Sequence, residues 1–226
     1  MATEPQRRDR MMMKIKICGI TNSDDALACA AAGVDMIGLN FYEQSPRYIR
    51  PDRACTIART LPLSTQAVGI FVDTPVEEIR RVARDVGLRM VQLHGSESPE
   101  MCAKLARDFE IIKALRIDGG FDAQRASVYP MCTILLDTYD EWTAGGTGGV
   151  GDWELARATK KFASRLILAG GLSPENVTQA IATVEPDGVD VCSSVESAPG
   201  VKDPGRIQQF VAAARNAEKI GVARLG

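Results

Sequence analysis

Eight short β-rich runs alternate with helix-patterned segments from Lys14 to the end of the 226-residue chain. Short apolar runs bounded by turn residues are typical of buried strands, and the segments between them carry helical spacing. Strands that alternate with helices form parallel sheets, and eight such units over about two hundred residues favour a closed barrel. We therefore predict an α/β fold, a single (β/α)8 TIM barrel. An open doubly wound sheet is the alternative.

Local signals predict several helix boundaries. In the third unit, Thr74 is expected to cap the helix, with Pro75 at its first position and Gly87 at its end. The helix after the seventh strand is expected to begin at Ser173-Pro174. Residues 121–129 are expected to form the helix after the fifth strand. With the eight strands, these helices complete the predicted barrel.

The predicted domain organisation is a flexible N-terminal tail over residues 1–12 and one catalytic barrel over residues 13–226. The tail contains basic residues but no apolar stretch of signal-peptide length behind them. No other run approaches the length of a membrane span. We therefore expect no association with a membrane.

Charge and cysteine usage argue against several classes of function. The net charge is −2, with acids and bases interspersed, and this gives no field that favours nucleic acid over small solutes. The six cysteines stand far apart without a C-x-x-C pair, which indicates free thiols and a cytoplasmic protein. His94 is the single histidine, so a multi-histidine metal site cannot form. We predict neither a metal nor another cofactor.

The polar and small residues at the predicted strand ends are the candidates for function. In barrels of this type the active site is built at the carboxyl ends of the strands and in the loops after them. These residues are Cys18 and Gly19 after strand one, Asn40 after strand two, Gln92 to Gly95 after strand four, Asp137 after strand six, Gly170 and Gly171 after strand seven, and Cys192 to Ser194 after strand eight. We expect them to surround one pocket.

Glycines and small hydroxyl residues follow strands six, seven and eight, among them Gly170, Gly171, Ser193 and Ser194. Backbone N–H groups in such turns and at helix N-termini bind anions. Phosphate sites of barrels often lie after the last strands, so we predict a phosphate site here. Glycine is also the ordinary residue of a tight turn, which leaves a structural role open for each position taken alone.

Cys18 and Asp137 are the candidate acid–base groups. Lys16 lies on the same side of the first strand as Cys18, and a nearby ammonium favours the thiolate. Asp137 ends an apolar strand, where an ionised carboxylate needs a partner or a chemical task. The structural alternatives are a small buried thiol for Cys18 and a helix cap or hydrogen-bond acceptor for Asp137.

Three further side chains are expected at the barrel mouth. Gln92 and His94 share one face of the fourth strand, and we interpret His94 as a packed imidazole that lines the mouth. Arg47 lies in the loop after the second strand, where it can hold a carboxylate through paired hydrogen bonds. A solvated surface arginine is the alternative interpretation.

The ordered motifs of the chain resemble those of the phosphoribosylanthranilate isomerases of tryptophan biosynthesis. The resemblance extends from Lys14 to the region of Ala214. It rests on seven motifs, which are KICGIT (16–21), FYEQSPRYI (41–49), VQLHG (91–95), LLD (135–137), GGTG followed by DW (145–153), LAGGLSPENV (168–177) and VESAPGVKD (195–203).

This resemblance implies a cofactor-free isomerase that acts on N-(5-phosphoribosyl)anthranilate by an Amadori rearrangement. It implies that Cys18 is the general base, that Asp137 is the general acid and that Arg47 holds the substrate carboxylate. The residues that it implies for phosphate binding are Gly146, Thr147, Gly148, Gly170, Gly171, Ser193 and Ser194. The remaining residues expected around the substrate are Lys16, Asn40, Gln92, His94 and Asp190, with Asp190 near the sugar hydroxyls.

Two positions depart from the family pattern. Gly149-Val150-Gly151 follows the GTG-like turn, where the family often has lysine or glutamine. Ser194 stands where many relatives have glycine, so a side chain there is expected to narrow the phosphate pocket. Neither change affects the implied acid or base.

Two other functions stay open at this point. One is another sugar-phosphate isomerase or epimerase, although a metal-dependent epimerase would need several histidines. The other is a non-catalytic barrel that binds a phosphorylated sugar. A binding module needs the phosphate site but no acid–base pair, and this favours an enzyme. The sequence is compatible with a monomer or a homodimer.

Overall fold

A closed barrel of eight parallel strands forms the centre of the protein, which we describe from a computed structural model over residues 12–117, 120–138 and 152–223. The strands pair in chain order, and the last pairs with the first. They are β1 (Lys14–Ile17), β2 (Met36–Asn40), β3 (Gln66–Phe71), β4 (Met90–Leu93), β5 (Glu110–Arg116), β6 (Cys132–Asp137), β7 (Leu166–Ala169) and β8 (Gly188–Val191). The prediction of a TIM barrel is confirmed. The predicted tail, apart from its last residue, lies outside the described residues.

Helices follow the strands and cover the outside of the barrel. They are α1 (Ser23–Ala31), α2 (Pro51–Thr60), α3 (Val76–Val86), α4 (Pro99–Leu105), α5 (Trp153–Lys160), α6 (Val177–Val184) and α7 (Pro204–Ala223). After β8 the chain forms a short antiparallel pair, β9 (Glu196–Ala198) and β10 (Val201–Lys202), which the sequence did not predict. Across the described ranges, no helix combines the length and apolarity needed to cross a membrane.

Polarity changes along the barrel interior from one end to the other. Apolar side chains form a buried cluster inside the barrel, to which Leu135 belongs and against which the partly buried Met90 packs. Because side chains alternate along a strand, the next residues on the same face are Gln92 and Asp137. Lys16 and Gln92 are fully buried, although both are polar. The interior therefore becomes polar and charged towards the carboxyl ends of the strands, where a site is expected.

The third helix begins later than the sequence predicted. Val76 is its first residue, and Pro75 precedes the helix with a non-helical backbone (ψ 142°). The Thr74 hydroxyl donates a hydrogen bond to the carbonyl of Val72, so the prediction that Thr74 caps the helix is wrong. The end was predicted correctly, because Gly87 adopts the left-handed conformation (φ 82°) and its N–H donates to the last turn.

Two other predicted helices differ in extent or type. The sixth helix begins at Val177 and not at Ser173-Pro174, because the Ser173 N–H donates to the Asn176 side chain and closes a turn ahead of the helix. The segment 121–129 contains a 3₁₀ helix, Ala123–Val128, in place of an α-helix. Pro130 follows at once and has no N–H with which to continue the helix.

Candidate active site

Cys18 lies immediately after β1 at the carboxyl end of the barrel. Its N–H donates to the carbonyl of Val191 at 2.8 Å, which continues the pairing of β1 with β8 by one residue. The side chain lies over Gly38 of β2, where an added Cβ would come within 3.1 Å of the Cys18 sulphur. A glycine at position 38 therefore leaves the space that the thiol occupies.

The surroundings of Cys18 stabilise its thiolate. A hydrogen bond from Cys192 lowers the pKa of Cys18 well below its ordinary value, and this outweighs the opposing effect of burial. The ammonium groups of Lys16 and Lys202 lower the pKa of Cys18 further. Lys16 thus lowers the pKa of Cys18, as predicted, but Cys192 has the larger effect on it. A stabilised thiolate can accept a proton, as a general base must.

Lys16 and Asp190 form a buried ion pair beside Cys18. The Lys16 Nζ and the Asp190 Oδ1 are 3.0 Å apart, and the Lys16 side chain is inaccessible to solvent. Burial disfavours the charged lysine, but Asp190 and Cys18 outweigh it and raise the pKa of Lys16. Burial raises the pKa of Asp190 to about 7, against the pull of Lys16. One cation is therefore shared by two anionic groups, Asp190 and Cys18.

His94 faces Asp137 across the mouth. The Gln92 amide donates to His94 Nδ1 at 2.7 Å, so the proton of a neutral imidazole lies on Nε2. That nitrogen is 3.9 Å from the Asp137 Oδ2. Burial lowers the pKa of His94, which favours the neutral ring. His94 lines the mouth as a packed imidazole, with its N–H side towards the candidate acid.

The candidate base and acid belong to one electrostatic cluster, although β1 and β6 are separated by β7 and β8. The charges of Cys18 and Asp137 both raise the pKa of His94 against its burial, and both raise the pKa of Asp190. His94 and Asp190 therefore lie within interaction range of both groups. The structure brings together the ionisable residues that the sequence predicted for the mouth.

Arg47 is not a solvated surface arginine, because it forms an ion pair with Glu196. Its Nε and Nη2 donate to the two carboxylate oxygens of Glu196 at 2.9 and 2.6 Å. The arginine side chain crosses Gly19, where a Cβ would lie 2.5 Å from the Arg47 Cδ. Gly19 also has a positive φ of 76°, which favours glycine. This arrangement holds Arg47 next to Cys18 and directs one edge of its guanidinium at Glu196.

Glu196 is a site residue to which the sequence analysis gave no role. Its side chain is 4% exposed, and it accepts hydrogen bonds from Arg47 and from Lys202, whose Nζ lies 2.8 Å away. Both Glu196 and Lys202 lie in the antiparallel pair β9 and β10. They belong to the VESAPGVKD motif, which was the one available signal. The contact of Glu196 with Arg47 joins residues 149 positions apart and has no local signature.

Asn40 lies at the end of β2 and hydrogen-bonds to the loop that follows this strand. Its amide nitrogen donates to the Ser45 hydroxyl, and its amide oxygen accepts from the N–H of Tyr42. Ser45 in turn accepts from the N–H of Arg47. Asn40 therefore shapes the loop that carries Arg47, and both ends of its amide are used within that loop.

The predicted phosphate residues after β7 and β8 lie in neighbouring loops. Gly170 and Gly171 have positive φ angles of 89° and 64°. Ser193 and Ser194 open a short 3₁₀ helix, and the Ser194 hydroxyl donates to the carbonyl of Leu172 at 2.5 Å. That hydroxyl thus joins the two loops. Gly146, Thr147 and Gly148 lie outside the described residues.

A third buried ion pair, which was not predicted from the sequence, secures the loop after β4. Lys113, inside β5, donates to Glu97 at 2.9 Å and to the carbonyls of Leu93 and Gly95. Glu97 also accepts from the N–H groups of Asp73 and Gly95. His94 lies between Leu93 and Gly95, and the hydrogen bonds from Lys113 to the carbonyls of these two residues fix the position of the His94 backbone.

Comparison with known proteins points to one family. A family model described as N-(5'phosphoribosyl)anthranilate (PRA) isomerase matches residues 15–213. An N-(5'-phosphoribosyl)anthranilate isomerase of Geobacter sp. (strain M21) is 47% identical over 204 residues, which cover 90% of this chain and 98% of that protein.

Solved structures of similar proteins have the same fold. The crystal structure of phosphoribosyl anthranilate isomerase from Thermotoga maritima aligns with a TM-score of 0.85 and 43% identity over 91% of this chain and 100% of that one. A phosphoribosyl anthranilate isomerase in complex with reduced 1-(o-carboxyphenylamino)-1-deoxyribulose 5-phosphate aligns with a TM-score of 0.82 and 42% identity over the same shares.

Proposed function

The chain belongs to the N-(5'-phosphoribosyl)anthranilate isomerase family, and on that premise we propose that Cys18 and Asp137 are its general base and general acid. It is an isomerase of tryptophan biosynthesis that converts N-(5'-phosphoribosyl)anthranilate to 1-(2-carboxyphenylamino)-1-deoxyribulose 5-phosphate. The observation that carries the proposal is the cluster in which a stabilised thiolate and a carboxyl group flank His94 and Asp190.

The reaction needs two proton transfers to the same sugar. Asp137 donates a proton to the ribose ring oxygen, the C1–O bond breaks, and the ring opens to a protonated imine. Cys18 then takes the proton from C2, which the imine has made acidic, and the electrons of that bond form an enolamine. The enolamine tautomerises to the aminoketone when its hydroxyl loses a proton and C1 gains one. Acid and base exchange protons without a net change in oxidation state.

Two anion sites orient the substrate in this proposal. Arg47 binds the anthranilate carboxylate through the guanidinium edge that Glu196 does not use, because Nη1 donates to no acceptor within the described ranges. The phosphate binds at the loops after β7 and β8, through the backbone of Gly170, Gly171, Ser193 and Ser194, and at residues 146–148. Lys16 and Asp190 lie beneath the sugar.

A turnover assay of the purified protein tests the function. We expect the fluorescent substrate to be consumed at an unchanged rate after treatment with a chelator, since the two proton transfers use only side chains of this chain. A metal-dependent epimerase would lose its activity with the chelator. A non-catalytic phosphosugar-binding barrel would bind a product analogue without turnover, and that result would contradict the proposal.

Arg47→Ala is expected to raise KM by about tenfold to a hundredfold with a smaller effect on kcat. Charge-assisted hydrogen bonds to a carboxylate contribute about 1.5–3 kcal/mol, and tenfold in affinity corresponds to about 1.4 kcal/mol. Arg47→Lys is the matched control, because it keeps a charge towards Glu196 but loses the paired donors. Steady-state kinetics at low substrate measures both, and unchanged kinetics in both variants would leave Arg47 only its structural contact with Glu196.

Lys16→Met is expected to move the acid limb of the pH profile of kcat/KM upward by about 1–3 pH units. Loss of a cation beside Cys18 raises the thiol pKa, so a higher pH is needed to form the thiolate. Lys14→Met is the matched control, because Lys14 lies on the same strand face but pairs with Asp35. If the limb does not move, Lys16 has no such role.

The proposal also includes the domain organisation, the oligomeric state and the cellular location of the protein. We propose one catalytic barrel over residues 13–226 that acts as a monomer or a homodimer on a small phosphorylated substrate, without nucleic acid, in the cytoplasm. A dimeric phosphoribosylanthranilate isomerase from Thermotoga maritima supports the homodimer. Light scattering of the purified protein distinguishes the two states.

A further inference from the structure

Cys18 and Cys192 occupy neighbouring positions on paired strands. Their strands pair residue for residue up to Ile17 and Val191, and the Cys18 N–H continues this pairing. Neighbouring strands lie about 4.8 Å apart, within the Cα separation of about 4.4–6.8 Å that a disulphide spans. Each thiol has the largest effect on the pKa of the other, which indicates that the two sulphur atoms lie close together. Backbone spacing therefore permits a bond between them.

Both thiols are half-buried at the barrel mouth, so small solutes that enter the active site can reach them. This sets them apart from another pair of thiols that affect each other's pKa, Cys102 and Cys132, whose side chains are buried. Cys18 is the nucleophilic partner, because its thiolate is stabilised by Cys192 and by two ammonium groups. Reactive cysteines combine such thiolate character with access to solvent.

From this juxtaposition we propose that Cys18 and Cys192 are a modification site, which a hydroperoxide closes to a reversible disulphide. The loss of isomerase activity that follows from closure rests on the proposed function, in which Cys18 is the base. Cys192 acts in that reaction only through its effect on the pKa of Cys18, and the proposed site gives this second thiol a reaction of its own.

The first chemical step takes place at Cys18. Its thiolate sulphur attacks one oxygen of hydrogen peroxide, an S–O bond forms, and the O–O bond breaks to release hydroxide. The product is a sulphenic acid at Cys18. The sulphur has been oxidised and the peroxide reduced, and no metal or other cofactor takes part.

The second step uses Cys192, and Lys202 favours it. The Lys202 Nζ lies 3.9 Å from the Cys192 sulphur. While Cys18 is a thiolate it raises the pKa of Cys192, and this effect ends when Cys18 becomes a neutral sulphenic acid. Burial still raises the pKa of Cys192, but Lys202 and Arg47 lower it and so favour its thiolate. Its sulphur attacks the Cys18 sulphur, the S–S bond forms, and the S–O bond breaks to release hydroxide, which with the Cys192 proton gives water.

Peptide mapping after peroxide treatment tests the proposal. Trypsin separates Cys18 from Cys192, because cleavage after Lys16, Arg47, Arg165 and Lys202 leaves them in different peptides. We expect hydrogen peroxide to join these peptides through Cys18 and Cys192 with the loss of two hydrogen atoms, and dithiothreitol to release them. Turnover should fall by about 10²-fold or more and recover with the reductant, as expected for a reversibly blocked base.

Cys192→Ser and Cys55→Ser are the test variant and its matched control. Without Cys192, peroxide should add oxygen to Cys18, first as sulphenic and then as sulphinic acid, and dithiothreitol should no longer restore turnover after the second stage. Cys55 is half-buried on α2, and Cys55→Ser should respond as the wild type does.

Two outcomes separate this inference from the proposed function. Oxygen adducts at Cys18 of the wild type without any linked peptide would overturn the thiol pair. A linked Cys18–Cys192 peptide with full turnover would support the modification site and instead overturn the assignment of Cys18 as the base.

Discussion

Cys18→Ala lowers kcat by about 10²–10⁴-fold while the affinity for a product analogue stays close to that of the wild type. A general base contributes a factor of this size to the rate, and its loss acts on the proton transfer and not on the anion sites that hold the ligand. The affected step is the removal of the sugar C2 proton. Single-turnover kinetics with saturating enzyme, together with titration of a product analogue, measures the two quantities separately.

Cys18→Ser is the matched variant for this experiment. Serine keeps nearly the shape of the side chain and can accept the hydrogen bond from Cys192, but its hydroxyl stays protonated where the thiol ionises. We expect a loss of kcat similar to that of the alanine variant. A kcat within about tenfold of the wild type in both variants would mean that another group removes the proton.

Asp137→Asn also lowers kcat by about 10²–10⁴-fold. Asparagine keeps the shape of the carboxyl group and its contact with the His94 side of the mouth, but it cannot release a proton to the ribose ring oxygen. The ring-opening step therefore loses its acid, while binding of the open-chain product analogue does not need it. Steady-state kcat and the dissociation constant of the analogue measure the effect.

Asp73→Asn is the control for this carboxylate. Asp73 lies in the loop after β3 and has a positive φ of 47°, a conformation that asparagine tolerates. It accepts hydrogen bonds from Ser96 and lies outside the cluster of Cys18, His94 and Asp190. A small effect of Asp73→Asn and a large one of Asp137→Asn are expected. Equal effects would mean that the loss of kcat comes from a general disturbance of the barrel mouth and not from the missing acid.

The parts of the fold and site that follow from local geometry could be predicted from the sequence. Alternation of strands and helices gave the barrel, and the parity of side chains along a strand gave the faces shared by Lys16 with Cys18 and by Gln92 with His94. Helix starts were less secure, as at Val76 and Val177. At both positions a side chain hydrogen-bonds within the turn before the helix, so the helix begins later in the chain than predicted. The same residue types cap helices and close turns, so the sequence does not distinguish these two roles.

The contacts that depend on closure of the barrel could not be predicted. Cys18 meets Cys192 only because the last strand pairs with the first, and Arg47 meets Glu196 across 149 residues of sequence. Lys113 interrupts an apolar strand, which marks it as unusual, but its partner Glu97 lies in the loop after the preceding strand, β4. Such pairs depend on register and loop path, which no short stretch of sequence encodes.

The contact between Arg47 and Glu196 bears on how the protein tolerates an empty binding site. Binding sites commonly gather charges that only the ligand satisfies, and native proteins then lose stability where they gain function. Here the guanidinium has a permanent counter-ion within the same chain, and Lys202 shares that counter-ion. The guanidinium is therefore already paired before the ligand arrives, while two cations that share one carboxylate leave positive charge for an anionic ligand. Folding and ligand recognition thus make compatible demands on the same arginine.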